Sequence, residues 1–219
     1  VAFEFQPSGI TTESGAYPIV RMDWAHGQTL AAFVAAHRTD ADVLQQLRMS
    51  LRVVSRELRR HGIAHGDIQP TNVIVESATQ LRLIDYDGLF VPQLAGLQST
   101  ELGQRNFQHS GRRGRHFDAS LDSFAFSLLD LTLHALCRRP ALWEQSESDA
   151  DAFILRAADI ADPADSPAFS LLASVPELEQ RVRNFAAICA APFEQVPTFE
   201  DFLEGRNIPT RAVEFTASA

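Results

Sequence analysis

Two short runs carry the side chains that chemistry would need: His65-Gly66-Asp67-Ile68-Gln69-Pro70-Thr71-Asn72 and Leu81-Arg82-Leu83-Ile84-Asp85-Tyr86-Asp87-Gly88. The first sets a carboxylate, Asp67, five residues ahead of an amide, Asn72, and runs into the apolar stretch Val73-Ile74-Val75. The second closes another apolar stretch on a carboxylate, Asp85, eighteen residues after Asp67. One carboxylate to orient a hydroxyl, then an amide and a second carboxylate to face metal ions, is the set that phosphoryl transfer from a nucleoside triphosphate requires. Either run alone would mean little, and an aspartate in such a place can simply hold a loop turn.

Such groups must be carried on rigid elements, and the surrounding pattern supplies them. Residues 1–6 alternate apolar and polar and predict a strand, residues 17–24 predict a second, and Pro7-Ser8-Gly9 and Glu13-Ser14-Gly15 read as turns. Thr29 can cap a short helix from Leu30 to His37, and Thr39-Asp40 opens a longer one. Leu44, Leu47, Leu51, Val54 and Leu58 recur at steps of three and four up to Gly62, with Arg48, Arg52, Arg56, Arg59 and Arg60 on the other face. Strands are expected at 73–76 and 81–85. Residues 88–118 have no clean period, and a long structureless stretch inside a domain is usually functional or mobile. From Leu121 an all-round apolar pattern predicts a central buried helix, followed by helices near 149–158, 166–174, 176–190 and 198–204. The tail after Arg206 reads as unstructured or loosely docked.

The spacing H-x-D-x-x-x-x-N, followed by the Ile84-Asp85-Tyr86 step, resembles the protein-kinase-like family. That resemblance covers roughly residues 1–205. It implies an α+β, mostly α fold: a kinase-like C-terminal lobe at 25–205, a remnant of the N-terminal lobe strands and hinge at 1–24, and a tail at 206–219. It also implies Asp67 as catalytic base with Gln69 beside it, Asn72 and Asp85 as magnesium ligands, and ATP as the nucleotide. His65 would be structural, packing under Tyr86. Ile74 would lie beneath the adenine, Met22 at the back of the nucleotide pocket, and Asp23 to Ala25 would offer backbone groups to the base. Asp122 would open the central helix and bond backbone of the catalytic loop; a plain helix-terminal carboxylate is the simpler role for it.

The departures from that family are informative. Gln69 stands where the family usually has lysine, Gly66 where it has arginine, and Asp87 precedes Gly88 where a glycine is usual. Asp87 reads as a third metal carboxylate or as a turn residue. Of the pattern that ends the family's activation segment, only Gly103 and Phe107 hold, and Gln104 stands at the threonine position. Arg105, Arg112, Arg113 and Arg115 make this segment basic, which fits an acidic or phosphorylated partner or simply a solvated loop. The chain has no lysine and begins at Val1, so a Gly-rich loop and phosphate-gripping lysine are expected in sequence ahead of it, and this stretch alone is expected to bind ATP weakly.

Composition narrows the rest. A net charge of −9 argues against nucleic-acid binding and against a basic membrane-binding surface. No apolar run is long enough for a membrane span, and no signal peptide is visible, so a cytoplasmic protein is expected. Cys137 and Cys189 sit in apolar helical patterns and read as buried thiols. An Arg- and Ala-rich, lysine-free chain fits a GC-rich bacterial genome. The leading expectation is therefore an ATP- and magnesium-dependent kinase acting on a Ser/Thr hydroxyl of a protein substrate. A small-molecule kinase resembling the aminoglycoside phosphotransferases, and a pseudokinase that binds without transfer, stand as alternatives.

Overall fold

The structure, a computed structural model, describes residues 3–215. Its architecture is α+β and mostly helical, with two small sheets. An antiparallel hairpin, β1 (Phe3–Thr12) and β2 (Gly15–Met22), forms the first sheet. The second has the order β3 (Gln28–Thr29), β4 (Val73–Ser77) and β5 (Gln80–Leu83), all antiparallel. Among the described residues no ladder joins the two sheets.

The turn expected at 7–9 is absent. β1 runs through Pro7-Ser8-Gly9, and the pairing is irregular between Gln6 and Ile10. The physical reason lies in Gly9, because a Cβ there would fall 2.1 Å from Ile19 Cγ1. Only glycine lets the irregular stretch lie this close to its partner strand.

Helix α1 (Leu30–His37) starts where its cap does, with Thr29 Oγ1 accepting from the Ala32 amide at 3.2 Å. Helix α2 (Ala41–Arg60) is capped by Asp40, which accepts from the Val43 amide at 3.1 Å. Leu44, Leu47 and Leu51 are buried as the periodicity requires. Arg48 is not on a solvated face: it is buried and forms an ion pair with the buried Asp130. Helix α3 (Ser123–Arg138) runs through the middle of the core, with nearly every residue from Phe124 to Leu136 enclosed. Around it stand α4 (Leu142–Gln145), α5 (Ala157–Ala161), α6 (Pro167–Ala173), α7 (Glu179–Cys189) and α8 (Phe199–Glu204).

The helix expected at 149–158 reduces to α5. Residues 149–156 run as turns and extended chain because Asp149 Oδ1 accepts the Asp151 and Ala152 amides at 2.8 and 2.9 Å. Such local side-chain bonds compete with helical ones. Of the two readings of the tail, docking holds for its described residues, 206–215: Phe215 stacks on Phe169 at 5.9 Å, and Arg211 donates to the Ala190 carbonyl at 2.6 Å; residues 216–219 lie outside the described residues. Both cysteines are free thiols, and burial pushes the Cys189 thiol well up from its usual value. Among the described residues no helix is long and apolar enough to cross a membrane.

Candidate functional site

The loop 65–72 lies between α2 and β4 and is held from below by α3. Asp122, just before α3, makes no cap bond to its own helix. Its carboxylate turns instead to the loop, accepting the His65 amide at 2.6 Å and the Gly66 amide at 2.8 Å. Burial pushes the Asp122 carboxyl above its usual range, while those amides and the nearby His65 and Arg112 oppose the shift. A buried carboxylate persists only with such partners. The ring of His65 is fully buried, its Nε2 lies 3.0 Å from the Ile84 carbonyl, and it meets the Tyr86 ring at 5.4 Å between centroids. His65 thus ties the loop to the end of β5.

Gly66 could not carry a side chain. Its φ is +83°, and a Cβ there would fall 2.1 Å from the Gly88 carbonyl oxygen. The glycine at 66 is therefore demanded by the approach of the 85–88 turn.

Asp67, Gln69 and Asn72 are brought into direct contact. Asn72 Nδ2 donates to Asp67 Oδ2 at 3.0 Å and to the Asp67 carbonyl at 3.1 Å. Gln69 Nε2 donates to the same Oδ2 at 2.9 Å. The other oxygen, Oδ1, accepts the backbone N–H of Gln104 at 2.8 Å. Two acceptors on one side fix the Asn72 amide, because only its NH2 end can donate to both. Its Oδ1 then has no protein partner among the described residues and is not sealed from solvent.

Asp85 joins this group through the sheet rather than by a direct bond. The Ile84 amide donates to the Asn72 carbonyl at 3.0 Å, so Asp85 follows at the open end of the β4–β5 ladder. It is exposed, has no side-chain partner among the described residues, and adopts φ +66°, a conformation that costs a non-glycine residue about 1–3 kcal/mol. Asp87 is exposed as well. Among the described residues no group of three or more His, Cys, Asp or Glu forms a ready-made metal cage. Magnesium does not need one, since it commonly takes one or two protein oxygens and completes its shell with phosphate and water. The Asn72 Oδ1 and the Asp85 carboxylate fit that requirement in donor type.

The residues expected at the nucleotide side sit elsewhere along the chain. Met22 ends β2 and is half-exposed, Asp23 is exposed, Trp24 is 83% exposed and Ala25 is partly covered. No hydrogen bond among the described residues links them to Asp67 or Asn72. Gly27, at φ +129° and with Val75 O 2.4 Å from its would-be Cβ, brings this connection against β4. Ile74 is opposite Thr29 and Arg82 in the sheet. It is buried yet belongs to neither apolar cluster, whereas its neighbours Val73 and Val75 enter the main core. It therefore occupies the sheet face turned away from the core.

Sequence reasoning missed the contribution of segment 101–112. Arg112 is no solvated loop residue. It is 3% exposed, and its guanidinium donates to the Gly66 carbonyl at 2.7 Å and to Gln108 Oε1 at 2.6 Å. Burial lowers its pKa, opposed by the charges of Asp122 and Asp67. Gly103 lies against Asp67, with a would-be Cβ 2.7 Å from Asp67 Oδ1. No sequence pattern marked Arg112 apart from Arg113 or Arg115; only the fold separates them. No family model matches the chain, and no curated protein matches it.

Proposed function

We propose that the protein is a protein-kinase-like phosphotransferase that moves the γ-phosphoryl of ATP to a Ser/Thr hydroxyl of a protein. The observation that carries this reading is the double tie from Asn72 Nδ2 to the carbonyl and carboxylate of Asp67. It presents a steadied carboxylate on one side of the loop and a free amide oxygen on the other. Asp67 orients the acceptor hydroxyl and takes its proton as the hydroxyl oxygen attacks phosphorus, and the bond to the leaving ADP oxygen breaks. Gln69 and Asn72 hold Asp67 in the rotamer that faces the acceptor. Asn72 Oδ1 and Asp85 would hold magnesium, which when bound offsets the charge of the phosphates. Asp122 keeps the loop backbone in place. Any permanently charged side-chain cation that this chain turns toward phosphate is an arginine, since it has no lysine.

A nucleotide-binding module without transfer is the second reading. It is favoured by the engagement of Asp67, whose two oxygens already accept three hydrogen bonds out of about four that a carboxylate can take. One experiment separates them. The protein is incubated with γ-labelled ATP, magnesium and a mixed protein acceptor beside Asp67→Ala and Asn72→Ala variants. The transferase reading expects label on acceptor Ser/Thr that falls at least about a hundredfold in Asp67→Ala. Equal labelling by parent and Asp67→Ala would remove it.

A further inference from the structure

Beside Asp67 lies a cavity of about 280 Å³ whose lining includes Gly103, Arg105, Gln108, Ser110, Arg112 and Arg113. No Asp or Glu contributes to its wall, in a chain with 28 of them and a net charge of −9. Three arginines therefore line one wall in a molecule that is otherwise acidic. Two of these charges, on Arg105 and Arg113, have no carboxylate partner among the described residues. Arg105 is exposed and has no side-chain partner among the described residues. Arg113 donates only to the backbone carbonyls of Ser110 and Arg112, at 3.0 and 2.7 Å. The buried Arg112 keeps one N–H, at Nε, without a partner. A concave, acid-free wall of this kind is built for an anion.

The cavity is also adjacent to the candidate chemistry. Gly103 is the partition: it lines the cavity on one side, and a Cβ on it would meet Asp67 Oδ1 at 2.7 Å. Arg112 lines the cavity and holds the carbonyl of Gly66, the residue before Asp67. A sphere of that volume is about 8 Å across, and extended chain covers roughly 3.3–3.6 Å per residue. A group seated there would lie about two to three residues from a hydroxyl at Asp67.

We infer that this cavity is an acceptor subsite for an acidic protein segment, taking an Asp or Glu carboxylate two or three residues from the Ser or Thr that Asp67 faces. The inference rests on the phosphotransferase reading for the role of the hydroxyl, but the acidic preference is measurable without turnover. Two fluorescein-labelled peptides serve as probes. One has a single serine flanked by three glutamates, and its twin has glutamines in their place. Fluorescence anisotropy gives their affinities for the parent protein and for an Arg105→Gln/Arg113→Gln double variant. Both sites are exposed, so the variant should fold, which circular dichroism checks.

The expected result is about tenfold tighter binding of the glutamate peptide by the parent. That preference should vanish in the double variant and in high salt, where charge interactions are screened. Long-range attraction cannot mimic it, because the net charge of the protein repels the glutamate peptide. Equal affinity for the two peptides, or an acidic preference that survives in the double variant, would overturn the inference. Label transfer from ATP is read on the same peptides. Acidic preference together with transfer that is equal in the parent and in Asp67→Ala would sink the phosphotransferase reading while leaving the anion cavity in place.

Discussion

Replacing Asp122 tests whether the loop geometry is imposed from α3. In Asp122→Ala, the His65 and Gly66 amides lose their acceptor, 2.6 and 2.8 Å away, in a site closed to water. Hydrogen bonds to a charged group contribute about 1.5–3 kcal/mol each, so the two together come to about 3–6 kcal/mol. The buried Arg112 guanidinium also loses a nearby negative charge. A loss of that size rivals the whole stability of a typical domain, about 5–15 kcal/mol, so the milder Asp122→Asn is the informative variant. An asparagine oxygen can keep one of the two bonds, while its NH2 would face the other amide donor to donor. The expected loss is about 2–4 kcal/mol. Urea unfolding followed by tryptophan fluorescence measures it, with the partly buried Trp143 reporting on the core. Hydrogen exchange adds the local readout: the His65 and Gly66 amides should lose protection beyond the global change. If Asp122→Asn unfolds within about 0.5 kcal/mol of the parent, or leaves these two amides equally protected, the loop is not held from α3.

Three further outcomes follow from other parts of the fold. Asp130 is 1% exposed and pairs with Arg48, Arg52 and Arg181 at 3.0, 2.8 and 3.2 Å, so Asp130→Asn leaves three guanidinium groups facing one another. A loss of about 3–5 kcal/mol is expected, read as a fall in Tm of roughly 6–20 °C, and an unchanged Tm would refute it. Burial, with Arg48 and Arg181 nearby, lowers the pKa of His134 to about 4 from 6.5. The unfolded chain therefore takes up a proton between those values that the folded chain refuses, and stability falls as pH drops from 6.5 to 4. Discounted for the partial exposure of the ring, this contributes about 1–2 kcal/mol, and His134→Gln should flatten that part of the urea midpoint against pH. Gly66→Ala should cost well over the roughly 1 kcal/mol expected for Gly96→Ala, because both have positive φ but only the first meets backbone. Equal losses in denaturant titrations would show that the approach of Gly88 is not what fixes residue 66.

Helices α1, α2 and α3 were legible because caps and apolar period agreed with each other. Thr29 and Asp40 announced the starts, and α3 was apolar on all sides because all sides are buried. What the sequence hid were residues whose roles depend on distant partners. Arg48 has the same local surroundings as Arg56 or Arg59, and only the arrival of Asp130, eighty-two positions away, makes it a core residue. β3 is two residues long, below the reach of any periodicity, and exists because β4 offers it an edge. Within the candidate site, Asp67, Gln69 and Asn72 were legible because they lie in one local loop. Arg112 was not, because a buried arginine and a solvated one have the same letter.

The irregular stretch 88–118 shows how a residue can act on Asp67 through its backbone alone. Such a segment has few ladder bonds of its own, so its position is set by what it reaches for: the 99–114 backbone contact, Arg112 on Gly66, and His109 with Nε2 3.1 Å from the Ile188 carbonyl. Within it, Gly103 and Phe107 are both tightly enclosed. Gly103 has φ +74° and no room for a Cβ beside Asp67, and Phe107 is fully buried edge-on to Phe153. Gln104 acts on Asp67 through its backbone N–H. Its side chain is engaged elsewhere, accepting from the Asn106 amide and donating to the Asp151 carbonyl. A backbone donor survives any side chain except proline, so the bond to Asp67 constrains residue 103 tightly and residue 104 hardly at all.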